Sequence, residues 1–347
     1  MERINHMNAK ERLVKALLGH PVDRPPFVCP GGMMNMVTSE VLEKLGLTWP
    51  LAYGTPGLLA GLAKGAAELT GIENLGIPFC MTVEAESLGA EVEMGNLYSE
   101  PRIISPLMLE IDTWRKLPRF NFTQGRMGNI IEAVRELAST GADLPIIVSL
   151  TGPISLAATL MEAMEFFGAM HNQAHEVHGF LQFLTSNLIK YARSLQTAGA
   201  DILVVADPSA SGEILGPRNF AAFARPYLNL LLDEGGQGYA GHMLHICGKL
   251  DSLFAVLPET HVTALSIDSS TSARAISEAL ENKIIVGNVS THLLEKGTPE
   301  QVKKAASASL SQGVKVLAPA CGLSMSTPLI NLQAMASVVR EYNPDIE

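Results

Sequence analysis

Charge is scarce in this chain. Only 17% of its 347 residues are Asp, Glu, Lys or Arg, and the balance is acidic, 25 basic against 35 acidic side chains, a formal charge of −10. Little charge beside 47% apolar residues excludes an intrinsically disordered chain. With no basic surplus to neutralise phosphates, no nucleic-acid partner is expected. Mean hydropathy is +0.20, yet no apolar run reaches the roughly 18 residues of a spanning helix, so no membrane association is expected. The first twenty residues, MERINHMNAKERLVKALLGH, mix acids with bases and lack the apolar centre of a secretory leader. A cytoplasmic location is therefore expected. The four cysteines, Cys29, Cys80, Cys247 and Cys321, are too few and too scattered for a disulfide framework. Low-complexity tracts, long polar linkers and internal repeats are also missing, so the length reads as a single domain over 1–347.

What is present is an alternation. From about residue 140, apolar runs follow one another at 145–150 (PIIVSL), 201–206 (DILVVA), 242–247 (HMLHIC), 264–267 (ALSI), 283–287 (KIIVG) and 315–318 (KVLA), with a further candidate at 27–29. Nearly continuous apolar runs mark strands buried on both faces of a parallel sheet. Helical patterns lie between them. The segment 173–198 is amphipathic and stops at Gly199, and Thr298-Pro299-Glu300-Gln301 carries the signature of a capping box with Pro at the first helical position. Strand-then-helix repetition predicts an α/β fold, with a (β/α)8 TIM barrel as the economical closure and an open doubly wound sheet as the rival. The segment from about 30 to 130 fits the repeat less well. Helices are expected at 39–45 and 55–69 and a hairpin pair near 77–80 and 90–94. The segment reads as an N-terminal elaboration covering the barrel mouth.

A barrel places its chemistry at the carboxyl ends of the strands. There the sequence offers Thr151-Gly152, Asp207, His245-Ile246-Cys247-Gly248, Asp268, Asn288 and Cys321-Gly322. In a strand, side chains two apart share a face, so His245 and Cys247 can point into one site and Cys321 can reach the same mouth. One imidazole and two thiolates form a zinc set that leaves a position open, and soft thiolates favour Zn²⁺ over Mg²⁺ or Ca²⁺. The residues alone leave the alternative open that these are a packed core histidine and two small buried hydrophobes. Asp207, with Glu84 and Glu213 behind it, is the expected orienting partner of His245. His171, His175 and His178, at helical spacing, read as one exposed helix face rather than a second metal site.

At these residues the sequence resembles the methylcobamide:coenzyme M methyltransferases, zinc enzymes of the uroporphyrinogen decarboxylase superfamily. His245-Ile246-Cys247-Gly248 with distal Cys321 resembles their zinc site. NAKERLVKALLGHPVD (8–23) with Arg24-Pro25-Pro26, PFCMTVEAESLGAEVEMG (78–95), GADILVVADP (199–208), Gly287-Asn288-Val289 and Gly297-Thr298-Pro299-Glu300 resemble superfamily stretches over nearly the whole chain. The resemblance implies a TIM barrel and methyl transfer from a methylated corrinoid protein to a small thiol such as coenzyme M. It implies Zn²⁺ on His245, Cys247 and Cys321, with Asp207, Asn288, Glu84 and Glu213 expected to meet substrate. The other readings within the superfamily are a methyltransferase demethylating a methoxylated or methylamine-type substrate onto the corrinoid, and the decarboxylase itself. The decarboxylase carries arginines for the propionates of its tetrapyrrole just after its Arg-Pro. Here that stretch is Pro30-Gly31-Gly32-Met33-Met34-Asn35, with none.

Overall fold

A computed structural model describes residues 6–31 and 35–342. Gly32, Met33 and Met34, part of the stretch without arginines, lie outside them. The strands are β1 (Leu75–Ile77), β2 (Val92–Glu93), β3 (Arg102–Ile103), β4 (Ile146–Thr151), β5 (Ile202–Ala206), β6 (Gly241–Ile246), β7 (Ala264–Ile267), β8 (Ile284–Val289) and β9 (Val316–Pro319). Seven of them form one parallel sheet in the order β1-β4-β5-β6-β7-β8-β9. The gap between its two edges is filled by the segment around Phe27. Phe27 pairs in parallel with Leu317, and Val28 N–H donates to the Leu317 carbonyl at 3.0 Å. On the other side Glu73 N–H donates to the Phe27 carbonyl at 2.8 Å. The sheet therefore curls into the TIM barrel expected, every parallel step made through a crossover on the outside.

Two of the expectations for 30–130 need correction. The helices at Ser39–Leu45 and Pro56–Thr70 exist. The second is an outer-ring crossover from the Phe27 segment to β1, and Gly125–Ser139 is the next, from β1 to β4. The repeat thus runs through this segment; it was hidden because β1 has only three residues and a long excursion follows it. The hairpin is wrong as well. Ile77 pairs in parallel with Val148, whereas Val92 pairs antiparallel with Ile103. The short apolar run before Pro78 belongs to the buried sheet, where alternation is no guide. What stands at the mouth is smaller. Helix Val83–Ser87 meets the end of β4 through Glu84 and Thr151. Helix Ser39–Leu45 meets the segment after β9, where Leu329 N–H donates to Glu40 at 2.7 Å.

The opposite end is plugged. Helix Ala9–Leu17, capped by the Asn8 side chain on Glu11 N–H, lays Leu13, Ala16 and Leu17 into the barrel against Ile147, Ile202, Val204, Met243 and Ala264. Burying each leucine stabilises by about 1.5–3 kcal/mol. Arg12 lies beside this plug at 1% exposure. Its Nε and Nη2 donate to Asp23 at 2.7 and 2.9 Å, Nη1 reaches Glu73 at 3.5 Å, and Nη2 also donates to the Met7 carbonyl at 2.6 Å. Elsewhere the outer layer follows the sequence closely. Helix Ala174–Ala198 ends at Gly199, whose φ of +111° only glycine adopts freely. The capping box forms at Thr298 and Gln301. Among the described residues no helix is long and apolar enough to cross a membrane.

Candidate functional site

The register of the sheet decides which side chains meet inside the barrel. Thr151, Ala206, His245 and Ser266 stand opposite one another on β4, β5, β6 and β7. Two residues lower on each of β5, β6 and β7, on the same face, Val204, Met243 and Ala264 belong to the apolar plug. The row above is small or polar, so space and polarity begin at the level of His245.

His245, 2% exposed, turns its Nε2 to Cys247 Sγ at 3.0 Å, and Cys247 Sγ lies 2.9 Å from Cys321 Sγ. The three ligand atoms all fall within 4.8 Å of one another. Cys247 is the first residue after β6 and Cys321 the second after β9, and both are only partly buried. The thiols share a proton unequally. The hydrogen bond from Cys247 draws the Cys321 thiol well below the ordinary cysteine range, helped by His245 and the Gly322 N–H. That same bond, with burial and the charge of Asp268, pushes Cys247 upward. A divalent metal bound there would let both thiols ionise. Such a set of one nitrogen and two sulfurs suits zinc and leaves a coordination position open.

The ring's other nitrogen meets a residue that the sequence did not single out. His245 Nδ1 lies 3.0 Å from Ser266 Oγ, on the neighbouring strand. Asp207, expected in this role, is engaged elsewhere. Its carboxylate accepts from Ser155 Oγ at 2.6 Å, Ser155 N–H at 2.7 Å and Ile154 N–H at 3.2 Å, capping helix Pro153–Leu160. Burial pushes it up to about 6 against those three donors. It touches His245 through the main chain alone, Asp207 N–H donating to the His245 carbonyl at 2.9 Å. Glu84 is buried too, and accepts from Thr151 N–H at 2.9 Å and Thr151 Oγ1 at 3.0 Å; burial raises its pKa. Glu213 is exposed and accepts from Lys249 N–H at 3.1 Å. Its carboxylate lies so close to Gly248 that a Cβ there would stand 2.9 Å from it, and Gly248 has a φ of +80°. Glycine at 248 thus lets the chain turn away immediately after Cys247. Asn288 donates to the Asp268 and Thr271 carbonyls at 3.3 and 3.2 Å and accepts from Ser309 Oγ at 3.1 Å, tying the loop after β7 to helix Pro299–Ser311.

The remaining candidates stay apart. His171 lies in the last turn of helix Ala163–Asn172 while His175 and His178 lie in the next helix, so the three histidines do not share one helix. His178 is half-buried, stacked on Phe223 at 4.7 Å with Nδ1 3.0 Å from Tyr227 Oη. Cys29, fully buried, is pushed up to about 11 by its burial, and buried Cys80 lies 3.3 Å from an Arg126 Nη1. Ser266 was hidden inside ALSI, an apolar run. Its one signal was the spacing Ser266/Asp268, which repeats that of His245/Cys247.

The uroporphyrinogen decarboxylase family model matches residues 8–342. The chain belongs to the uroporphyrinogen decarboxylase family. Within it, the chain is 34% identical over 335 residues to the methylcobamide:CoM methyltransferase MtbA of Methanosarcina acetivorans, covering 96% of this chain and 98% of that protein. It is 31% identical over 349 residues to the methylcobamide:CoM methyltransferase MtaA of Methanosarcina barkeri, covering 98% and 99%. The solved structure of a methyltransferase from Methanosarcina mazei superposes with a TM-score of 0.90 at 29% identity, covering 97% of this chain and 99% of that one. The resemblance read along nearly the whole chain, to the methylcobamide:coenzyme M methyltransferases of this family, is thereby borne out.

Proposed function

We propose that this family member moves a methyl group from a methylated corrinoid, carried by a partner protein, to a small thiol such as coenzyme M, with zinc held by His245, Cys247 and Cys321. The observation that carries the reading is the convergence of those three ligand atoms at the barrel mouth, in a chain whose relatives are named for this transfer. A free thiol has a pKa near 8.5 and is a poor nucleophile while protonated. The metal, when bound, would supply a positive charge that keeps the acceptor thiol deprotonated at neutral pH. In the transfer the thiol gives its proton to solvent and its sulfur lone pair forms the new carbon–sulfur bond. The electron pair of the cobalt–carbon bond stays on cobalt as Co(I). The protein's own residues set the stage. The apolar plug closes the barrel below, so acceptor and corrinoid enter from the mouth. Asp207 and Glu84 hold the walls by fixing the starts and ends of backbone segments there, and Asn288 holds the loop after β7. Glu213, the exposed one of the four, is in reach of substrate.

The test is zinc content of wild type, Cys247→Ala and Cys321→Ala, followed by loss of the methylcobalamin spectrum on adding 2-mercaptoethanesulfonate. The expected result is about one zinc per chain in wild type, lost in both variants together with transfer. A zinc-free wild type with its fold intact would sink the proposal.

A further inference from the structure

We infer that Ser266 is a positioning residue for His245, fixing which ring nitrogen faces the two thiols. The inference rests on the metal reading above and adds to it the residue that prepares the ligand. The two residues are register partners on β6 and β7, both facing the barrel interior, and both are buried, Ser266 at 0% and His245 at 2% exposure. Among the described residues, Ser266 Oγ is the one hydrogen-bond partner of His245 Nδ1, at 3.0 Å. A neutral imidazole carries its proton on one nitrogen only. With the Ser266 oxygen accepting from Nδ1–H, the lone pair lies on Nε2, the atom turned towards Cys247 Sγ. Without that acceptor, the proton is free to sit on Nε2, where it blocks the ligand, and the ring is free to rotate about its χ angles.

The choice of a hydroxyl is itself informative. Metal-bound histidines commonly lean on a carboxylate or a carbonyl. Here the buried carboxylate of the neighbouring strand, Asp207, is spent on helix Pro153–Leu160. A neutral imidazole and two thiolates sum to −2, which a divalent zinc cancels. Ser266 orients the ring without adding a charge of its own to that set. A serine is also small enough for the packed row of Thr151, Ala206 and His245 beside it.

The test compares Ser266→Ala with Ser266→Thr in the full chain, reading zinc affinity by competition with a chromophoric chelator. Alanine keeps the volume and removes the acceptor; threonine restores it. Ser266→Ala should bind zinc about 10- to 100-fold more weakly, with threonine recovering most of the loss. The metal-free Ser266→Ala protein should still unfold in one cooperative transition, with no more than the small drop in unfolding temperature that a single unpaired buried nitrogen brings, whereas a loss of packing would broaden that transition. Wild-type affinity in Ser266→Ala, within about twofold, overturns the inference while leaving the metal reading intact. A wild type that binds no zinc overturns both.

Discussion

Arg12→Met tests whether the plugged end of the barrel carries stability and the open end carries chemistry. Methionine keeps the aliphatic stem but removes four contacts: two to Asp23, one to Glu73 and one to the Met7 carbonyl. Burial favours the protonated form of Asp23, yet the hydrogen bond from Arg12, the Met7 N–H and the nearby Arg24 charge win, holding it down at about 2 from a usual 3.8. At 1.36 kcal/mol per pH unit, that gap corresponds to about 2 kcal/mol after allowance for partial solvent screening. Glu73 keeps its ion pair with Arg24, but the Met7 carbonyl and one side of Asp23 lose their donor. Breaking a buried pair from one side destabilises by about 3–5 kcal/mol, and that is the loss expected at neutral pH. Because Asp23 is depressed, its share is fully present above about pH 4 and fades as pH falls towards 2. The gap between wild type and variant should therefore narrow on acidification. Urea unfolding followed by Trp49 and Trp114 fluorescence reads the gap, and zinc affinity measured in parallel should not move. A neutral-pH loss under about 1 kcal/mol, a gap that widens in acid, or a weakened metal site would refute the reasoning.

Two further outcomes follow from the mouth. In metal-free native protein Cys247 and Cys321 should react with a disulfide reagent while buried Cys29 and Cys80 stay silent until unfolding, and zinc should protect the reactive pair; four reacting thiols would contradict the packing. Gly152→Ala should place a Cβ about 2.4 Å from the Asp207 side chain, push that carboxylate off helix Pro153–Leu160 and lower stability by about 1–3 kcal/mol. A wild-type unfolding curve would show that this contact is not tight.

The strands after residue 140 and the capping of the long helices were legible because local chemistry decides them: apolar runs on buried parallel strands, Thr and Pro at helix starts, Gly199 at a helix end. The convergence of His245 and Cys247 was legible for a related reason. Strand alternation brings His245 and Cys247 to one face without knowledge of any neighbour. What stayed hidden depends on partners distant in sequence. β1 has three residues and gains its identity from pairing with β4. Asp207 looked free to orient His245 because nothing in ADPSASGE announces that Ser155, 52 residues earlier, claims its carboxylate. Ser266 could be recognised only once the β6–β7 register placed it opposite His245.

The same register explains why the chemistry sits at this depth and no deeper. On β5, β6 and β7 the face that carries Val204, Met243 and Ala264 carries Ala206, His245 and Ser266 one step higher. Moving the histidine down that step to position 243 would bury it among Leu13, Leu17 and Ile202, with no acceptor for Nδ1 and no thiol in reach, and an unpaired buried polar group costs about 1–3 kcal/mol. One step higher the chain has left the strand, and at Gly248 it turns with a positive φ against Glu213. Position 245 is thus the one site on β6 where a side chain is rigid enough to be oriented by a neighbouring strand and still high enough to meet thiols arriving from β6 and β9. That pairing of rigidity with access is what a metal ligand needs.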